Sequence, residues 1–318
     1  MVRVSRLHHR GGRPPAAGAG LSPPHVRPHV REAEELNTDV VLKLSCLDRP
    51  AIVATVAGFL ADRGFTIRDS QQFGDEDTGL FFMRVHAGSI DDVKVDELRT
   101  AFEEVAERFA MNWSLHDTTA PHRLLVMVSR HDHCLNDLLH RMRTGALPAQ
   151  IVAVVSNHDD LRELVEWHGV PFHHVPVTAE TKSQAEDELR RLVDEYEADT
   201  VVLARYMQIL SNSLCAELHG RAINIHHSLL PSFKGARPYF QAHSRGVKVI
   251  GATAHYVTAD LDEGPIIEQD FTRVDHSLSA ADLTAVGRDI EALALARAVT
   301  AHAQQRVFID GSKTVVFR

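Results

Sequence analysis

The chain has 318 residues, 44% of them hydrophobic, which is enough apolar material for two buried cores at roughly 150 residues per domain. Its formal charge is −9, from 34 Lys and Arg against 43 Asp and Glu, and that balance argues against a protein that works by gripping nucleic acid or anionic membrane. The charge is uneven: residues 1–31 hold six Arg and no acid, which leaves −15 on residues 32–318.

In the opening stretch, five Pro and four Gly would break any amphipathic helix, and no apolar run marks a signal peptide. Residues 1–37 therefore read as a disordered basic tail, with a nucleic-acid arm as the sharper alternative. Order is expected from Asp39. Val40–Cys46 is β-branched and apolar enough for a strand. Asp48 and Pro50 suit the cap and first turn of a helix built on Ile52, Val53, Val56, Phe59 and Leu60, with Gly64 as its stop. Strands follow at Phe65–Ile67 and Leu80–Val85, around a turn at Asp75–Gly79. A second helix is expected over Asp91–Phe109 and a fourth strand over Met111–His116. The order βαββαβ is ferredoxin-like and fills residues 38–117.

Thr118–Pro121 reads as a linker, after which strands and helices alternate. Strands are expected at Arg123–Val128, Gln150–Val155, Phe172–Val175, Thr200–Leu203 and Ala222–Ile225, with helices at Cys134–Arg143, Asp159–His168 and Ser183–Glu197. This alternation implies a mostly parallel, Rossmann-like α/β sheet covered on both faces, spanning residues 122–318. Beyond it lie a helix near Tyr239–Arg245, strands at Val247–Val257 and Pro265–Phe271, a long helix over Ala280–Gln304 and a terminal hairpin. No stretch approaches 18 consecutive apolar residues, so no membrane span is expected. Cys46, Cys134 and Cys215 are far apart, with no CxxC pair. They read as reduced thiols of a cytoplasmic protein, with neither a disulfide framework nor a metal site.

The densest chemistry is Asn224-Ile225-His226-His227-Ser228-Leu229-Leu230-Pro231, at the carboxyl end of an expected strand, where open α/β sheets bind ligands. Asn224 and His226 alternate along the strand and so share a face. An amide donor beside an imidazole suits acyl chemistry: one stabilises an oxyanion and the other moves protons. A buried structural histidine would account for His226 alone equally well. An acidic loop, Thr258–Pro265, lies between two later strands, and a carboxylate there would raise the basicity of an imidazole and fix its orientation.

Asn224-x-His226-x-Ser228-Leu229-Leu230-Pro231 and the later Leu261-Asp262-Glu263-Gly264-Pro265 resemble the formyltetrahydrofolate-dependent formyltransferase fold. The resemblance implies that Asn224 polarises the formyl oxygen, that His226 assists charge stabilisation and proton transfer, and that Asp262 orients His226 and a water. It also implies substrate binding at Met207, Gln208, Ile209, Leu210, Gly235, His255, Ala259 and Gly264. The small domain resembles an ACT module. Asp132–Leu139, Ser156–Asp159, Gly251–Val257 and Gly287–Glu291 resemble the formyltetrahydrofolate deformylases. That likeness implies hydrolysis of 10-formyltetrahydrofolate to tetrahydrofolate and formate, without metal or cofactor, supplying formate for purine biosynthesis and balancing one-carbon pools. It further implies a homo-oligomer and an amino-acid effector, methionine or glycine, at the ACT module. Ala51 replaces the usual glycine of the ACT turn, which weakens the case for binding there.

Residue chemistry separates the alternatives. A phosphorylated amine acceptor needs a glycine-rich cradle after the first strand of the larger domain, and Ser129-Arg130-His131-Asp132-His133 has no glycine and one acid. A tRNA acceptor needs a basic domain, against the −15 of residues 32–318. Water is left as the nucleophile. A non-catalytic folate or amino-acid sensor is the alternative from another class, opposed by retention of Asn224, His226 and Asp262. His276 is expected within reach of the site, and Arg288, Asp289 and Glu291 as a salt-bridged scaffold on the long helix.

Overall fold

The computed structural model describes residues 37–231 and 238–318. The expected tail lies outside these residues except at Asn37, and so does Gly235.

The first layer is β1 (Thr38–Leu47), α1 (Ile52–Ala61), β2 (Thr66–Asp75), β3 (Leu80–Ser89), α2 (Val95–Phe109) and β4 (Asn112–Asp117). The strands form an antiparallel sheet in the order β2-β3-β1-β4, the βαββαβ arrangement read from the sequence. Alternate residues of β1 (Val40, Leu42, Leu44, Cys46) meet Ile52, Val56 and Leu60 of α1 and Leu98 and Phe102 of α2 in one core. Two local expectations fail. Asp48 does not cap α1: Ala51 is the N-cap residue, in the left-handed region at φ 78°, with no side-chain hydrogen bond. α2 begins at Val95 because Asp91–Lys94 is held as a loop, with Thr38 Oγ1 accepting from the Val93 N–H at 2.9 Å.

The larger layer contains β5 (His122–Val128), α3 (His133–Arg143), β6 (Ala149–Ser156), α4 (Arg162–Trp167), β7 (Phe172–His174), α5 (Lys182–Glu195), β8 (Thr200–Leu203), α6 (Asn212–Glu217), β9 (Ala222–His226), α7 (Pro238–Arg245), β10 (Val249–Tyr256), β11 (Ile266–Arg273) and α8 (Ala280–Ala303). The seven-stranded sheet runs β11-β10-β9-β8-β5-β6-β7. Its β9-β8-β5-β6-β7 portion is parallel, and β10 and β11 are added antiparallel. Continuous apolar runs such as Leu124–Val128 follow from burial of both sheet faces. α8 starts at a capping box, in which Ser279 and Asp282 exchange side-chain and backbone hydrogen bonds, and it covers the β10 face. Strand order reverses between β5 and β8, which opens a crevice beyond their carboxyl ends.

A terminal hairpin, β12 (Val307–Asp310) and β13 (Lys313–Val316), joins the two layers. Phe308 and Phe317 pack on Phe82 of the small sheet. Lys313 Nζ lies 2.6 Å from Asp75, and Arg84 Nε donates to the Gln304 carbonyl at 3.1 Å. No helix among the described residues is long and apolar enough to cross a membrane.

Candidate active site

The crevice is a cavity of about 580 Å³ lined by the exits of β5, β8 and β9, the loop after β10, and α7 and α8. β9 carries Asn224 and His226 on one face, and the antiparallel ladder sets His255 opposite Asn224 and Thr253 opposite His226. Thr253 Oγ1 donates to the Ser228 carbonyl at 2.9 Å and accepts from the Leu230 N–H at 3.0 Å, which pins the loop leaving β9.

Asp262 comes from the loop between β10 and β11 and holds a left-handed backbone conformation, φ 58°, which aspartate tolerates better than most residues. Its Oδ1 lies 3.2 Å from His226 Nδ1. The hydrogen bond with His226 holds the Asp262 carboxyl below the usual carboxylate range, against the burial that would raise it. An Nδ1–H donating to this carboxylate leaves Nε2 as the basic nitrogen of His226. That Nε2 is buried and has no hydrogen-bond partner among the described residues, and His226 lines the cavity.

His255 is fixed from behind. Its Nδ1 donates to the Tyr256 carbonyl at 2.9 Å, so its Nε2, 3.2 Å from Asn224 Nδ2, accepts one amide hydrogen. Burial lowers the His255 pKa, which keeps the ring neutral and suited to that role. The second Asn224 amide hydrogen remains for a ligand. Gly264 permits this arrangement: a Cβ there would lie 1.7 Å from the Tyr256 carbonyl oxygen. Gly264, expected to contact substrate, is not among the residues lining the cavity.

Met207, Gln208, Ile209, Leu210, Ala259 and Leu261 line the cavity. Met207, Ile209 and Leu261 are each more than half exposed, an apolar rim for a flat ring system. The cavity is also lined by a polar cluster that the sequence reading left mostly unassigned. Glu291, 1% exposed, meets His133 Nε2 at 2.8 Å, the Tyr239 hydroxyl at 2.6 Å and Arg205 Nε at 3.3 Å. Burial pushes Glu291 up, but the His133 hydrogen bond, the Arg205 charge and the Tyr239 hydroxyl outweigh it and keep the carboxyl below its usual range. Burial, aided by Arg205 and His226, lowers His227 to about 4.

Ligand atoms of His133, Cys134 and Glu291 lie within 4.8 Å of one another. The Arg205 guanidinium beside Glu291 is poor company for a metal cation, and both Glu291 oxygens already accept hydrogen bonds. Glu291 is the scaffold residue expected on α8, yet it and Arg288 also line the cavity. His276 is exposed and does not line it. Arg205 and Tyr239 were missed; the position of Arg205, two residues beyond β8 at the strand-order reversal, was the available signal.

A family model described as formyl transferase matches residues 122–299, and one described as ACT domain matches residues 40–103. A curated relative from a Corynebacterium strain, formyltetrahydrofolate deformylase, is 51% identical over 87% of this chain and 98% of its own length. A crystal structure of formyltetrahydrofolate deformylase from Burkholderia mallei, also 51% identical, superposes with a TM-score of 0.84, covering 88% of this chain and all of that one. A glycinamide ribonucleotide transformylase from Symbiobacterium toebii is 30% identical with a TM-score of 0.60, covering 64% of this chain and 98% of that one. With its likeness running through both layers, the chain belongs to the formyltetrahydrofolate deformylase family.

Proposed function

We propose that this chain hydrolyses 10-formyltetrahydrofolate to tetrahydrofolate and formate, with Asn224, His226 and Asp262 as its catalytic residues. The observation that carries this reading is His226 on the cavity wall, with Nδ1 tied to Asp262 and Nε2 buried without a hydrogen-bond partner among the described residues. Nε2 takes a proton from water as the water oxygen attacks the formyl carbon. The Asn224 N–H not used by His255 donates to the developing oxyanion. The Asp262 carboxylate stabilises the imidazolium formed in that step. The C–N10 bond then breaks, its electron pair stays on N10, and His226 returns the proton there. Formate and tetrahydrofolate leave.

Water as acceptor fits the β5–α3 turn, which lacks a glycine cradle, and the polar cluster on the cavity wall, where Glu291 already accepts from His133 and Tyr239. His255 positions Asn224, while Met207–Leu210 and Ala259 hold the pterin. The trio, with no metal or cofactor, carries one proton of the water to N10, and the other is released as the formic acid product ionises to formate. Three buried free thiols suit a reducing cytoplasm. An amino-acid effector at the small domain and pairing of subunits through it complete the proposal.

The test is formate release from 10-formyltetrahydrofolate in the absence of any amine. Turnover is expected. Binding of the folate without release of formate would instead support a sensor that has lost catalysis.

A further inference from the structure

A second cavity, about 590 Å³, lies between the two layers, at the start of β5 and β8. Its volume falls in the range of small-molecule sites, about 300–1,000 Å³. Its walls come from both layers: β1 and β4 supply Lys43 and His116, while the larger layer supplies His122, Asp199, His219 and His302. Asp199 is the one carboxylate among the described lining residues, against one ammonium and four imidazoles.

Lys43 is the one ammonium among them, since burial holds His116, His122 and His302 toward the neutral ring. Its Nζ donates to the Val307 carbonyl at 2.7 Å and lies 4.8 Å from the Phe308 ring centroid. Among the described residues it has no carboxylate within salt-bridge distance, so a cation partly withdrawn from water lacks a counter-charge. Burial, with Arg84 nearby, lowers Lys43 to about 8. Burial lowers His116 to about 4 and His302 to about 3, and the Lys43 charge contributes to both. The imidazoles are otherwise spent in a defined network. His122 Nε2 and His302 Nε2 share the Thr200 hydroxyl at 2.8 and 2.9 Å, and His302 Nδ1 meets the Tyr256 hydroxyl at 2.8 Å.

We propose that this cavity binds a small oxyanion, a carboxylate or phosphate group, with Lys43 Nζ as its anchor and His219 at its rim. Two of the three ammonium hydrogens are free of the Val307 carbonyl and can meet two oxygens of such a group. The site is separate from the catalytic cavity and from the Ala51 turn, neither of which contributes a lining residue except through the strand carrying Tyr256. Tyr256 lines this cavity, and its carbonyl holds His255 on the catalytic side.

Acetate and inorganic phosphate are titrated calorimetrically into the full chain at fixed ionic strength. One or both should bind, and which one does so distinguishes the carboxylate from the phosphate source. Lys43→Met should weaken binding about tenfold or more, whereas Lys43→Arg retains it. His219 is exposed, so His219→Glu, which repels an anion at the rim, should fold normally and weaken binding about threefold or more. It carries the test alone if Lys43→Met loses its circular dichroism signature. No binding of either probe up to about 50 mM, a range that covers even weak single-anion sites, overturns the proposal. So does binding that well-folded variants leave unchanged.

Discussion

Replacing Asp262 with Asn keeps the size of the side chain and removes one charge. Asparagine also tolerates the left-handed backbone at φ 58°, so the loop should keep its course. What changes is the partner of the imidazolium formed as His226 takes a proton. Opposite charges 3.2 Å apart interact by about 5 kcal/mol at an effective dielectric of about 20. Asp262 is 16% exposed, so solvent screening trims that value. A loss of about 3–5 kcal/mol in the transition state lowers kcat by roughly 10²–10⁴-fold. The Met207–Leu210 rim is untouched, so KM should move little. Formate release over a substrate series, beside a thermal melt of the same preparation, reads both quantities. A well-folded Asp262→Asn protein retaining kcat within about tenfold of the parent, far short of the loss expected for such a group, would refute the role given to Asp262.

Gly264→Ala places a Cβ against the Tyr256 carbonyl that orients His255. Melting should fall by several degrees, for about 1–3 kcal/mol of overpacking, and formate release should drop with it. Ala51→Gly relieves a left-handed alanine at an exposed N-cap, and chemical denaturation should show a gain of about 0.5–1 kcal/mol after the added unfolded-state entropy of glycine is subtracted. Burial lowers His302 to about 3 and His116 to about 4, while an unfolded histidine takes its proton near 6.5. Between those values the unfolded chain binds more protons than the folded one, so stability falls as the pH falls below 6.5. At pH 5 the loss is about 1–2 kcal/mol per ring, and melts from pH 7 to 5 should lose part of their slope in His302→Gln.

What could be read along the chain was what local periodicity encodes. Asn224 and His226 share a face because a strand repeats every two residues, and β9 keeps that repeat. The acidic loop was legible as a loop, and the choice of Asp262 within it came from resemblance, because no spacing rule distinguishes it from Asp260 or Glu263. The Glu291 cluster was opaque for another reason. His133, Arg205, Tyr239 and Glu291 come from α3, the exit of β8, α7 and α8, and only the packing of α8 on the sheet brings them together. Local signals also misled where tertiary contacts outweighed them. Asp48 has the chemistry of a cap, yet the chain turns through Ala51 to start α1. The six-residue α6 falls where alternation of strand and helix calls for a helix, but it is too short to show a period that would fix its bounds. It is held by its Ser211 cap, whose own N–H donates to Glu186 at 2.8 Å.

The geometry of the site is largely a property of one ladder. Thr253 and His255 on β10 face His226 and Asn224 on β9, and Gln269 on β11 donates to Thr253 at 3.0 Å on the same face. The intervening residues Ile225, Ala254 and Tyr256 point the other way, into the core under α8. Sliding β9 by one residue would send Asn224 and His226 toward α8. Burial of Ile225 and Tyr256 therefore fixes the register, and the register keeps Asn224 and His226 on one face of β9. The same apolar contacts that stabilise the sheet hold the imidazole and the amide on one face of β9, at the cavity wall.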